Sequence, residues 1–447
     1  MNDWLDAEAR VERAQQFADS QQWTRALLVL DAAIAINPND SVWHAHRGEL
    51  LDQLGRYEEA IEAYQQALEL GCTALELRSL LGIDLVRVER YQEAVDLFEE
   101  LASDHPDYEP AYCHRIAAYT RMGLHEQAEE MFYLAQQLDA DCPNCFHHLA
   151  ESLLCRDEYE QAVRCWKRVL EIDPDYPQAR QRIAWAHRSH GAHAEARDFY
   201  LAAIRQEPGD TELLADLGDL YVEMGNLARA AAKFEQVLEL DPESARAHVM
   251  LGLIAAQQDR AEQAAEHLEA ALRLDEAYPQ LRAHLGATQL RRGNLHTAYA
   301  HLSVALEDDP EDAVALMAMG NCLLELQRPG EAVPYFEQLL ELQPRLAAAL
   351  HNVAICHFLQ CEFEPGIEYC QRALEIEPDN LLILHKLGLV YAHLAQWRQA
   401  RIMIARGLAV DPGHEGLCQL RRQLWRERLR SGFWRLLGRT RGTFGGR

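Results

Sequence analysis

Apolar and polar residues alternate along this chain in a pattern best seen in Thr211–Ser244, TELLADLGDLYVEMGNLARAAAKFEQVLELDPES. Leu214, Leu217, Gly218 and Tyr221 fall at helical spacing, with one small residue set into the stripe. Gly225-Asn226 breaks that helix. A second stripe, Leu227, Ala230, Phe234, Val237 and Leu238, predicts a second helix, and Asp241-Pro242 ends it because proline disfavours helical geometry in the residue before it. An isolated hairpin of this size cannot bury its apolar face without neighbours.

The neighbours recur at a period of 34. Stepping from Pro242 by 34 in both directions meets proline at nine of twelve landings, in a chain with only 16 prolines. The step from Ala230 meets alanine everywhere except Gly366. The step from Gly218 meets glycine at 48, 82, 252, 286, 320 and 388, alanine at 14, 150, 184 and 354, and one misfit, Ile116. Small residues held in register mark the places where helix backbones approach most closely. A period without insertions means that each unit meets the next in the same way, so the pattern predicts a solenoid.

These columns resemble the W-x2-L-G-x2-Y…A-x3-F…P pattern of the tetratricopeptide repeat. Aromatics recur in the second helix as that family requires, at Tyr64, Phe98, Phe132, Trp166, Tyr200, Phe234 and Phe336. Residues 7–412 match as twelve consecutive repeats, starting near 7, 41, 75, 109, 143, 177, 211, 245, 279, 313, 347 and 381. The resemblance implies an all-α, right-handed superhelical solenoid over 1–412. A C-terminal capping helix is expected at 413–431, carrying Leu417, Leu420 and Leu424, and a basic amphipathic or flexible tail at 432–447. The entry helix is expected to be capped by Asn2 or Asp3.

The family's common property is a concave face offered to a partner, lined by the second, fifth, ninth and twelfth positions of each first helix. Carried over residue by residue, this puts Ile83, His147, Glu151, Trp185 and Arg188 in a polar part of the groove. Val249, Leu253, Leu290, Met317, Asn321, Leu324, His351, Ile355 and Phe358 form a mostly apolar part. Apolar side chains on a face the fold leaves open mark a binding surface, unless superhelical curvature covers them. The expected partner is a peptide segment or helix of another protein. The chaperone-binding branch of the family needs lysine at the fifth position and asparagine at the ninth, and no fifth position here is lysine. A branch that precedes a sugar-transferring domain carries asparagines at the sixth position, where only Asn352 fits, so membership of that branch is not expected.

Composition and charge add further limits. The net charge of −28 argues against a nucleic-acid partner. The last 35 residues depart from that acidity, with nine arginines against two glutamates. In the tail, Arg430, Phe433, Trp434 and Arg435 would suit a membrane surface or an acidic partner, or would simply fray. No stretch approaches the ~20 apolar residues of a membrane span, and the start shows no basic region followed by an apolar one, so a cytoplasmic protein is expected.

Candidate chemistry is sparse, and neither catalysis nor a cofactor is expected. There is no phosphate loop, G-x-S-x-G or H-E-x-x-H. Cys142-Pro-Asn-Cys145, followed by His147 and His148, is the one cluster with metal or redox spacing, and Cys113 occupies the position equivalent to His147 one repeat earlier. The plainer reading is a stop-start turn at Pro143 with cysteine as a small apolar filler. Eleven cysteines scattered through the chain favour a reducing compartment. Histidine recurs at the sixth position (His46, His114, His148 and His284), as half-buried helix residues or as a pH-sensitive set.

Overall fold

The computed structural model describes residues 2–278 and 280–426, with the side chains of 2–6 outside that description. Among the described residues there are twenty-four complete helices and no strand. They fall into two compact units, Met1–Gly225 and Asn226–Arg447. The boundary lies inside the stretch that best displays the repeat, between α13 (Thr211–Glu223) and α14 (Leu227–Leu240). The fold class is all-α, a solenoid of helical hairpins.

In the first unit the first helices of successive hairpins include α3 (Ser41–Gln53), α5 (Leu75–Arg87), α7 (Glu109–Arg121), α9 (Pro143–Cys155) and α11 (Ala179–Ser189). In the second they include α15 (Ala245–Gln257), α17 (Leu281–Arg291), α19 (Ala313–Glu325), α21 (Ala347–Leu359) and α23 (Leu381–His393). Each hairpin packs internally, and first helices also touch across repeats: α5 on α7, α7 on α9, α15 on α17, α17 on α19, and α19 on α21. This close approach sets the first helices on the inner side of each unit.

The small-residue column works as the spacing predicts. A β-carbon on Gly48, Gly82 or Gly320 would sit inside the ring of Tyr64, Phe98 or Phe336, sixteen residues on in the second helix. Leu268 and Leu302 play the same part against Gly252 and Gly286. Tyr64, Phe98, Trp166, Tyr200 and Phe336 are fully buried, so each hairpin locks a large side chain under its partner's backbone.

Turn chemistry is less uniform than packing. The residue that ends each first helix is left-handed at all twelve turns, yet only Gly55, Gly123, Gly191, Gly225 and Gly293 are glycine. Gln21, Glu89, Asp157, Asp259, Gln327, Cys361 and Ala395 adopt the same positive φ despite their side chains. Several first helices start on a side chain that accepts from the first backbone N–H groups: Asp40, Asp210, Ser244, Asp312 and Asn380, with Cys142 in the same column. α1 (Asn2–Asp19) already includes Asn2 and Asp3, which were expected to cap it.

Beyond α24 (Trp397–Val410), residues 415–426 are helical. Leu417 and Leu420 are buried and Leu424 packs beside Ile404. Residues 427–447 lie outside the described ones, and with them Arg430, Phe433, Trp434 and Arg435. No described helix is long and apolar enough to cross a membrane.

Candidate functional site

Because the first helices stack at a fixed period, residues 34 apart line up across them. In the first unit this produces a concave pocket of about 260 Å³ walled by α5, α7, α9 and α11. Ile83, Ala117 and Glu151, the ninth positions of three successive first helices, run along it as a ladder. His114, His147 and His148 form one side, and Arg87, Arg121 and Arg182 the rim.

Burial favours the neutral form of all three histidines. Burial pushes His114 down to about 4 and His148 to about 3, the neighbouring His147 adding to the effect on His148. His147 is also lowered by burial, and its Nδ1 accepts from the Trp166 indole at 3.2 Å. Two of the three arginines are engaged. Arg87 pairs with Asp84 at 2.9 Å and with Asp52, and Arg182 lies 3.4 Å from Glu151. Among the described residues no acid pairs with Arg121. The pocket therefore combines an apolar floor, neutral imidazoles and one uncommitted cation.

The remaining predicted residues of this unit are not in the pocket. Trp185 extends the ninth-position ladder onto α11 and is 46% exposed. Arg188 is held by Glu223 at 2.7 Å. Arg87, Arg121 and Arg182 were all missed by the sequence reading, although Arg87 and Arg121 are 34 apart.

The second unit departs from an open apolar patch. Val249 and His351 are buried, at 3% and 7% exposure, and belong to the packing between neighbouring first helices. Ser79, Cys113, Ala215 and Ala283 are buried as well, whereas the fifth-position His147 and Met317 are half-buried, and His147 lines the pocket. Leu253, Leu290, Met317, Leu324 and Phe358 are half-buried against core side chains. The Phe358 ring rests on Gly366, which explains the single gap in the alanine column. Asn321 and Ile355 are half-buried at ninth positions, and Asn352 donates to Asn321 at 2.8 Å and to the Met317 sulfur at 3.7 Å. Leu389, the next ninth position, is exposed.

Cys142 and Cys145 converge with Cys113, but not with His147. Their fourth neighbour is Glu109, and the four potential ligand atoms lie within 4.8 Å of one another. The Cys145 thiol donates to Glu109 Oε1 at 2.8 Å, and the Cys145 backbone N–H donates to Cys142 Sγ at 3.4 Å. Burial raises the Glu109 carboxyl to about 7.

Helical hairpins repeated at a fixed spacing define a helical-repeat protein of the scaffold type. Tetratricopeptide-repeat models match residues 42–70, 149–211, 215–282 and 289–354, together about half of the chain. The chain belongs to the tetratricopeptide-repeat family. It is similar to the human protein O-mannosyl-transferase TMTC1, 23% identical over 201 residues, 44% of this chain and 23% of that protein. It is also similar to the TPR repeat-containing protein YpiA of Bacillus subtilis, 22% identical over 205 residues, 45% of this chain and 48% of that one. Among solved structures, the APC/C hetero-tetramer Cut9-Hcn1 matches at a TM-score of 0.49 and 16% identity, covering 92% of this chain and 95% of that chain. The chain spans about a quarter of the length of the first curated relatives it matches.

Proposed function

We propose that the protein is a non-catalytic protein-interaction scaffold that holds a segment of a partner protein against its inner helices. We read residues 1–412 as twelve repeats, 413–431 as a cap and 432–447 as a tail. The observation that carries the reading is the ladder of Ile83, Ala117 and Glu151 in one concave pocket. A row of side chains at a constant step suits a chain-like ligand, and the apolar floor beside Arg121 suits a segment that combines an apolar and an acidic side chain. Ninth positions in the second unit, Leu253, Asn321, Ile355 and Leu389, offer a more apolar row with one amide able to bond a peptide backbone. The activity in the mannosyl-transferase's name is not carried over, since the match covers 23% of that protein. Cytoplasmic residence belongs to this reading and is supported by the scatter of cysteines along the chain.

The test is affinity capture from the source organism, compared by quantitative mass spectrometry between the wild type and an Ala117→Glu/Arg121→Glu variant. Partners captured through the pocket are expected to fall at least tenfold, with helicity and thermal midpoint preserved. A charge reversal on an outer helix, Glu130→Lys, serves as the control and keeps the partners. Equal capture by all three proteins refutes the pocket as the binding site.

A further inference from the structure

We propose that Cys113, Cys142, Cys145 and Glu109 form a structural site for a thiophilic divalent metal ion, zinc by chemistry, that clamps α7 to α9. This stands apart from the groove reading and survives or fails independently of it.

Four observations carry it. The first is convergence: among the described residues this is the one group of three or more metal-binding side chains gathered this closely. Eleven cysteines are spread over the chain, yet three of them meet at one point. The second is geometry. Tetrahedral zinc with Zn–S bonds near ~2.3 Å sets its ligand atoms roughly 3.8 Å apart. The four atoms here lie within 4.8 Å, so about an ångström of side-chain adjustment closes the shell. Glu109 and Cys113 are four apart on α7, hence on one helix face, and Cys142 caps the start of α9 with Cys145 in its first turn.

The third observation is that Cys142 stands where the equivalent turns use Asp40, Asp210, Ser244, Asp312 or Asn380 to start a helix. A thiol is a poor substitute for an oxygen in that role. As a thiolate metal ligand it is favoured by the same place, where the Cys145 N–H points at its sulfur and the helix N-terminus stabilises negative charge. The fourth is compensation. Cys113, Cys142 and Cys145 are almost fully buried, and among the described residues no lysine or arginine pairs with the half-buried Glu109. Metal binding releases the thiol protons, the divalent cation offsets part of the resulting thiolate and carboxylate charge, and the more accessible Glu109 gives it a way in. Four protein ligands leave no open position, which makes the site structural. Its place is consequential, because α7 and α9 also carry His114, His147 and His148 into the concave pocket.

The test uses reduced, chelator-treated full-length protein titrated with cobalt(II) and then zinc(II). One equivalent of cobalt is expected to give the intense visible bands and thiolate charge-transfer absorption of a tetrahedral sulfur-rich site, zinc is expected to displace it, and zinc to raise the thermal midpoint. Cys142→Ser/Cys145→Ser should abolish the spectrum, Glu109→Gln should weaken binding at least tenfold, and Cys155→Ser/Cys361→Ser should change nothing. In urea just below the unfolding midpoint, where these buried thiols open transiently, zinc should also slow alkylation of Cys113, Cys142 and Cys145, while Cys155 and Cys361 react at once. No thiolate bands in the wild type, or bands retained by Cys142→Ser/Cys145→Ser, overturns the proposal. If that variant does not fold, the wild-type titration and the alkylation pattern decide, and equal alkylation with and without zinc overturns it as well.

Discussion

Gly366 is the only member of the alanine column that is not alanine, and the structure assigns the cause to one ring. A β-carbon at Gly366 would overlap Phe358 Cε1. Gly366→Ala thus sets two effects against each other. Inside α22 (Phe363–Ile376) alanine is favoured over glycine by ~1 kcal/mol of helix propensity. Forcing a methyl group into packed space costs ~1–3 kcal/mol. The single variant is expected to be destabilised by about 1 kcal/mol once the propensity gain is subtracted. With the ring removed the sign reverses: in a Phe358→Ala background, Gly366→Ala should stabilise by up to ~1 kcal/mol. The cycle predicts a coupling of ~1–3 kcal/mol between the two sites, the range seen for residues in contact. Urea denaturation followed by far-UV circular dichroism gives the four stabilities. Hydrogen exchange of α21 and α22 localises the change, since repeat proteins sum local stabilities. If Gly366→Ala stabilises both backgrounds equally, the ring does not sit on Gly366 and the explanation of the gap is wrong.

Two further outcomes follow from buried polar groups. Asp84 is 1% exposed, and burial, with the nearby Asp52 charge, raises its carboxyl from 3.8 to about 7. The folded state then holds a proton between those values that the unfolded chain has released, so this group's contribution to stability falls as pH rises from about 4 to about 7. Asp84→Asn should flatten that slope, so the wild-type-minus-variant difference in denaturation free energy should shrink as pH rises through the window; parallel curves rule it out. Asp312, 5% exposed, accepts from Val314 N at 2.8 Å and Ala315 N at 3.1 Å at the start of α19. Asp312→Ala should cost ~1–2 kcal/mol, read as a lower urea midpoint at unchanged slope, and a loss under ~0.3 kcal/mol would show that the cap is dispensable.

What the sequence made legible is what packing repeats. Gly82 over Phe98 and Gly320 over Phe336 are one contact made by one spacing, so any column of small residues sixteen positions before a large one could be read directly. The left-handed turn was half hidden, because Glu89, Asp157 and Cys361 hold a conformation that sequence reasoning assigns to glycine. There the hairpin geometry is dictated by packing on both sides, and the turn residue follows it. Glu109 was not legible at all. It is one acid in an acidic chain, and only the stacking of α7 on α9 distinguishes it from the rest. Cys142 and Cys145 announced themselves by spacing, but His147, the expected companion of Cys113, is turned to Trp166 instead.

The same physics separates the two groove columns that the family pattern treats alike. Where first helices touch, fifth positions such as Cys113, Val249, Ala283 and His351 are buried and packing constrains them first, although His147 and Met317 in the same column are half-buried. The ninth position falls just beyond that contact. Ile83, Ala117, Glu151, Leu253, Asn321 and Ile355 are half-buried there, and Trp185 and Leu389 are exposed. A residue constrained by its neighbour can vary only within what packing tolerates, whereas one beside the contact is free to differ in kind. The ninth column does so, from isoleucine to glutamate to tryptophan within the first unit alone. In a solenoid whose framework repeats so strictly, the column with access to solvent and no common chemistry is where selectivity for a partner has room to be written, and substitutions there should alter binding while leaving the melting temperature nearly unchanged.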